Sequence, residues 1–307
     1  MTRAIFLSAI LTAASFASAQ AASPSTTPAP AAQPQTGTQA PSTQIPAGTP
    51  AAAGTQTAAP VTHSKGAPQA KTQDEFKAYQ DVVAKTDVVQ MEAAADEFAQ
   101  KYPNSDLRTV LYNGLMNTYR GGGATDRAIT AGRKSLAIDP TDPVPNVMVA
   151  MALAQTTRDS DLDKDDRLNE ASRDAQRAID NVETGMAIPP NTAPEKVQAA
   201  KNSVLEMSYE TLGTIAMTKK DFPAAETAFR KGLEVNKAEP DGVLYLRLAI
   251  ALDNQKKYPE ALQATESAIK FNQAGSEAQN LANQEKTRLQ KLMGTSTPST
   301  TPAPTAQ

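Results

Sequence analysis

Beyond residue 72 the chain sets apolar and polar positions in a helical rhythm. Phe76, Tyr79 and Val83 fall on one face of a helix, and Met91, Ala95 and Phe98 on one face of the next, because residues three or four apart share a side of an α-helix. The rhythm continues to about residue 292, and no stretch alternates with the period of two that a half-buried strand requires. It breaks where Pro, Asn, Asp and Gly cluster, at Tyr102–Ser105, Asp139–Pro143, Ile188–Asn191 and Glu239–Gly242. Between these breaks the pattern predicts helices of roughly 12 to 18 residues, so the expected fold class is all-α.

Two stretches repeat each other. Asp221-Phe222-Pro223-Ala224-Ala225 and Lys257-Tyr258-Pro259-Glu260-Ala261 stand 36 residues apart, and upstream Tyr209, Leu212 and Gly213 are matched at the same offset by Tyr245, Leu248 and Ala249. A fixed offset that holds two helices is the mark of a repeated two-helix unit. This spacing resembles the tetratricopeptide repeat, whose first helix carries an aromatic, a Leu-Gly and a Tyr, and whose second carries A-x3-F before a proline. Tyr209, Leu212, Gly213, Ala225 and Phe229 carry the resemblance best, with Ala216 where a tyrosine is usual. Tyr112, Leu115, Tyr119, Ala128, Leu136 and Pro140 follow it with Met116 and Gly132 as departures, and Asn146 opens another unit 34 residues after Tyr112.

The resemblance implies a right-handed α-solenoid of helix-turn-helix units. The clearest units are expected at about 109–142, 143–182, 206–240 and 242–274, with a degenerate pair at 73–104 and a cap helix over 276–292. Extra residues from Thr156 to Arg167 interrupt the second of these units, and Pro189, Pro190 and Pro194 delay the third. Small residues at Gly213, Ala225 and Ala261 let paired helices approach, while Tyr209, Phe229 and Tyr245 fill the gaps along one continuous apolar spine from Phe76 to Leu292. The apolar spacing by itself would also suit another helical bundle.

Composition changes the picture at the two ends. Met1-Thr2-Arg3, an apolar run from Ala4 to Ala17 and the A-x-A site Ala17-Ser18-Ala19 read as a secretory signal peptide, 1–19. As a helix that run would cover roughly 21 Å, short of the ~30 Å hydrocarbon core. Residues 20–72, rich in Ala, Pro, Thr and Gln, and the Thr/Pro tail 293–307 hold too few large apolar side chains to offset ordering entropy, and are expected to be disordered. The chain has no cysteine, which leaves the repeat domain at 73–292 to be held by apolar burial alone and removes a lipid acceptor near the leader. An exported protein, periplasmic or secreted, with no retained membrane span is the expectation.

Charge and residue types narrow the function. The formal net charge is −3 and no basic stripe is present, which argues against nucleic acid or an anionic membrane surface as the partner. The single histidine, His63, lies outside the helical part. Ser-His and Cys-His nucleophiles and His- or Cys-liganded zinc are therefore excluded there. No cofactor and no enzymatic activity are expected; a protein or peptide partner is.

The resemblance also implies where that partner would lie, since ligand side chains in this family follow the aromatic, Gly and Tyr positions of each first helix. The positions so marked are Asn113, Asn117 and Arg120; Val147, Met151 and Ala154; Glu210, Thr214 and Met217; and Leu246, Ile250 and Asp253. An apolar stretch in such a groove marks a binding surface, or else packs against a neighbouring helix or the Pro-rich connection. A second candidate is the acidic loop with Asp159, Asp161 and Asp163 at alternate positions and Glu170 at the twelfth. Alternate oxygen ligands and a distal glutamate suit calcium, which would make the protein a structural or calcium-responsive envelope component. Lys164 stands where such a loop needs glycine, so an acidic turn capping the next helix is the simpler account. Arg120-Gly121-Gly122-Gly123 lacks the lysine of a phosphate loop and reads as an interhelical turn.

Overall fold

The computed structural model describes residues 65–295. The expected signal peptide, the linker as far as residue 64 and the tail from 296 lie outside the described residues. Within them the chain forms eleven helices and two short strands: β1 Lys65–Gly66, α1 Gln73–Val83, α2 Val88–Lys101, α3 Leu107–Gly121, α4 Thr125–Ile138, α5 Pro143–Thr156, α6 Lys164–Asn181, β2 Ala187–Ile188, α7 Pro194–Thr218, α8 Phe222–Val235, α9 Gly242–Asn254, α10 Tyr258–Phe271 and α11 Glu277–Thr295. None of these helices is long and apolar enough to cross a membrane.

The helix starts follow local chemistry. The side chains of Thr72, Asp87, Asp142, Asp221 and Asp241 each accept a backbone N–H of the first turn they precede, which satisfies donors that have no partner inside the helix. Proline occupies the first or second position of α5, α7, α8 and α10, where its missing N–H costs nothing.

The helices pack as consecutive antiparallel-type pairs, α1 with α2, α3 with α4, α5 with α6, α7 with α8 and α9 with α10, and each second helix also packs on the first helix of the next pair. α11 closes the series against α10 and α9. This is an all-α solenoid of tetratricopeptide-like units. Three of its interhelical turns are the same object. Gly123, Lys220 and Lys256 all sit at positive φ, 75°, 58° and 61°. In each, the following N–H reaches back five residues, Ala124 to Tyr119 at 2.9 Å, Asp221 to Ala216 at 2.8 Å and Lys257 to Leu252 at 3.0 Å, the closing bond of a left-handed helix cap.

The small residues do what the spacing predicts. A Cβ on Gly213 would stand 2.2 Å from Phe229 Cε1; Gly132, where the chain departs from the repeat pattern, makes a close approach that the spacing did not mark, since a Cβ there would stand 2.4 Å from Val149 Cγ2. Ala225, Ala261 and Phe229 are fully buried, whereas Tyr209 and Tyr245 are half-buried, Tyr245 stacking on Phe271 with ring centroids 5.7 Å apart.

Three features depart from the expectation. The apolar spine is not continuous: one cluster of buried residues runs from Val82 to Ile215, a second from Ala216 to Leu289, and Leu246, Ala268 and Ala282 form a small third. The first two meet on α7. That helix is 25 residues long and begins at Pro194, not near residue 206; its N-terminal half is too mixed in polarity to show a clean face, yet packs on α5 and α6. The end of the supposedly disordered linker is also placed, with β1 paired in parallel to β2, Lys65 opposite Ala187 and Gly66 opposite Ile188. Two residues are too few to show a strand period.

Candidate functional site

A cavity of about 400 Å³ opens where α3, the α4–α5 turn and the α6–α7 connection converge, and the segment Lys65–Gln69 crosses it. Asp106, the residue just before α3, and Thr109, Val110 and Asn113 on α3 line one side, the spacing of three and four residues bringing them together. Asp139 and Asp142 come from the turn before α5, and Met186, Ala187 and Pro189 from the connection that carries β2.

The polar groups of the cavity are mostly acceptors. Asp142 caps α5 through Oδ1, which accepts from Val144 N at 3.0 Å, and its Oδ2 accepts from Asn113 Nδ2 at 3.2 Å. Burial pushes the Asp142 carboxyl up to about 6, against the lowering effect of those two donors and of Lys65. Asn113 is 4% exposed, and its Oδ1 is buried without a hydrogen-bond partner. Asp139 accepts from Lys65 Nζ and from Thr141 Oγ1, the latter at 2.7 Å, and its carboxyl is held below the ordinary value. Lys71 anchors the far end of the crossing segment by donating from Nζ to Asn104 O at 2.6 Å and from its backbone N–H to Glu75 Oε2 at 2.7 Å.

The positions marked by the family pattern are dispersed along α3, α5, α7 and α9. Val147, Ala154 and Leu246 are buried, at 0%, 6% and 7% exposure, and so is Asn113. The reason is that α5 and α9 are apolar nearly all round and are enclosed by neighbours on both sides. Asn117, Arg120, Met151, Thr214, Met217 and Asp253 are half-buried, and Ile250 is exposed. Arg247, which the pattern does not mark, ties Glu210 to Thr214: its Nη1 lies 3.1 Å from Glu210 Oε1 and donates to Thr214 Oγ1 at 2.8 Å. Burial pushes the Glu210 carboxyl up, with Arg247 opposing it. Asp253 is engaged by Arg288 of α11 at 2.5 Å. Arg120 keeps a buried Nε without a partner, and desolvation lowers its pKa. Of these positions only Asn113 lines the cavity.

The acidic loop does not converge on a cation position. Asp159 pairs with Lys164 at 2.7 Å, Asp161 Oδ2 accepts from Arg158 N at 2.8 Å, and Glu170 takes both oxygens to Arg133 at 2.7 and 2.6 Å. Asp163 sits at the start of α6 with Arg167 Nη1 at 4.0 Å. Among the described residues no group of three or more His, Cys, Asp or Glu side chains could hold a metal ion. Basic side chains, from within the loop and from Arg133 on α4, and a backbone amide engage these carboxylates one by one.

Sequence reasoning missed Lys65, Asp139 and Asp142. The first sits in an Ala/Pro-rich stretch with no period, and the other two read only as turn residues. A pairing between positions as distant as 65 and 187 leaves no local signature.

No family model and no curated protein matches the chain. Solved structures similar to it include MamA, 18% identical over 63% of this chain and 93% of that one, with a TM-score of 0.45. PilF of Pseudomonas aeruginosa is 16% identical over 72% of this chain and 87% of its own, at 0.48. A thermophilic TPR protein of Thermus thermophilus is 12% identical over 69% of this chain and 97% of its own, at 0.42.

Proposed function

We propose that this protein is an exported, non-enzymatic scaffold of the cell envelope that binds an extended peptide or a protein partner along the groove of its first helices, α3, α5, α7 and α9. The observation that carries this reading is that the repeat array already holds the segment Lys65–Gln69, by parallel backbone pairing at Lys65 and Gly66 and by the ion pair from Lys65 to Asp139. Such a grip is independent of most side chains and suits a binding module. Half-buried and exposed side chains on the first helices, Asn117, Arg120, Met151, Met217 and Ile250, extend the available surface beyond the cavity. They mix apolar area with polar rims, as interfaces do.

Photo-reactive residues placed singly at Met151 and Ile250 in the full chain, in its native cells, test the reading. A discrete protein or peptide adduct is expected from these first-helix positions and not from the second-helix positions Thr130 and Glu260, although both of these are exposed. Equal labelling at all four, or none at any, overturns it. Recovery of the mature chain beginning at Gln20 from the envelope fraction tests the export.

A further inference from the structure

We propose that the cavity under Lys65–Gln69 is a receiving site for an extended peptide carrying a lysine or arginine side chain, and that residues 65–69 are the chain's own resident occupant, which such a peptide replaces. This rests on the peptide-binding reading above and names the ligand class.

Three observations converge. The backbone of the occupant is held by pairing with β2, and that pairing spans only two residues on each side. Main-chain pairing reads no sequence, so another extended segment can take the same place. A strand this short has little to lose in the exchange.

Charge selects the side chain. Lys65 is the only basic residue among those that line the cavity, and it belongs to the occupant. When the occupant leaves, Asp106, Asp139 and Asp142 remain with no cation among the lining residues. An incoming anion would meet three carboxylates, whereas an incoming ammonium or guanidinium would restore what Lys65 supplied.

The interior remains unfilled by the occupant. Lys65 reaches Asp139 from the rim with its side chain 47% exposed, while about 400 Å³ stays open with the segment in place. At the inner wall, Asn113 is 4% exposed, and its Oδ1, closed off from solvent, has no donor. An unsatisfied buried acceptor costs stability that a ligand's N–H can recover. Asp142, one hydrogen bond from Asn113, carries a carboxyl that burial holds up, and a cation placed beside it relieves that burden. The resident lysine is thus a partial fit, and a better-placed cation has both oxygens to gain.

The test uses the full chain and a fluorescein-labelled synthetic peptide with the sequence of residues 63–71, followed by anisotropy. Lys65→Glu sets a carboxylate against Asp139 and ejects the occupant, and because Lys65 is exposed the fold is unaffected, as circular dichroism would verify. The peptide is expected to bind the Lys65→Glu chain at least 10-fold more tightly than the unaltered chain. A peptide with glutamate in place of its first lysine should lose at least 10-fold, and Asp139→Asn in the Lys65→Glu chain should weaken the parent peptide comparably. Absence of saturable binding to the Lys65→Glu chain overturns the proposal, as does equal binding of the glutamate peptide. Full competition by n-butylammonium at the peptide's own concentration also overturns it, because the strand would then contribute nothing. A failure here alongside first-helix adducts in cells sinks only the ligand class; a failure of those adducts sinks the broader reading.

Discussion

The ring of Phe229 on α8 occupies the space that a side chain at Gly213 on α7 would need, with Cε1 only 2.2 Å from where that Cβ would stand. Phe229 is fully buried and cannot swing aside without opening the core between the two helices. Gly213→Ala should therefore lower stability by about 2 kcal/mol, overpacking outweighing the better helix propensity of alanine. Phe229→Ala should cost about 4 kcal/mol, and Phe229→Leu should rescue part of the Gly213→Ala loss. Urea midpoints of the single and double variants check this; additive effects would show that the two positions do not share the space.

The recurrent turn gives a second expectation. Lys220 and Lys256 hold at positive φ a conformation that Gly123 adopts freely in the equivalent place. Lys220→Gly and Lys256→Gly should each stabilise the chain by about 1 kcal/mol, and Gly123→Ala should destabilise it by a similar amount. Thermal unfolding of the three variants reads the signs, which should be opposite.

How much of this was readable beforehand depends on the range of the contacts. The 36-residue offset between Tyr209 and Tyr245 fixed the two-helix unit because each unit packs on its sequence neighbours, so local spacing carries the tertiary information. Gly213 and Phe229 were legible for the same reason. The burial of Val147 and Leu246 was not, because a family pattern marks a register but not whether a uniformly apolar helix is covered on both sides. The acidic loop misled through spacing alone: its oxygens go to Lys164, Arg158 and Arg133, and Arg133 lies far off in sequence. Lys65 and its cavity were invisible, since a strand pair bridging residues 65 and 187 rests on no periodic pattern.

The buried Asp174 of α6 predicts a pH dependence. Its carboxyl is raised from 3.8 to about 6 by burial and by Glu170, with Arg177, Arg173 and Arg133 opposing. The folded chain thus holds this proton more tightly than the unfolded chain. The associated stability is fullest below about 4, is lost as pH rises through about 6 and amounts to at most about 3 kcal/mol. Asp142, with the same direction and a similar value, adds to the slope. Asp174→Asn should roughly halve the fall in stability between pH 4 and 7 while keeping a hydrogen-bonding side chain there. Urea unfolding at both pH values measures it; an unchanged slope would mean that Asp174 ionises normally.

Gly185 links the α6–α7 connection to the α4–α5 turn. A Cβ there would stand 2.2 Å from Thr141 O and 3.0 Å from Asn181 O, both backbone atoms that cannot rotate away. Gly185→Ala should cost about 2 kcal/mol and shift Met186–Ile188 enough to unpair β1. Hydrogen exchange at residues 65–71 should then rise well before exchange in α8–α10. Equal protection in variant and parent would show that β2 does not depend on this close approach.

α7 reaches across the seam in the core: Ile215 belongs to the Val82–Ile215 cluster and Ala216 to the cluster that ends at Leu289. At 25 residues it spans roughly 37 Å of unbroken hydrogen-bonded rod, so it acts as a beam riveted to two blocks. Tension applied at one end of the array must be carried through that rod, and the place where it is thinnest is Gly213. Melting of the C-terminal block would expose the lower third of the beam first, leaving the rest of it anchored on α5 and α6.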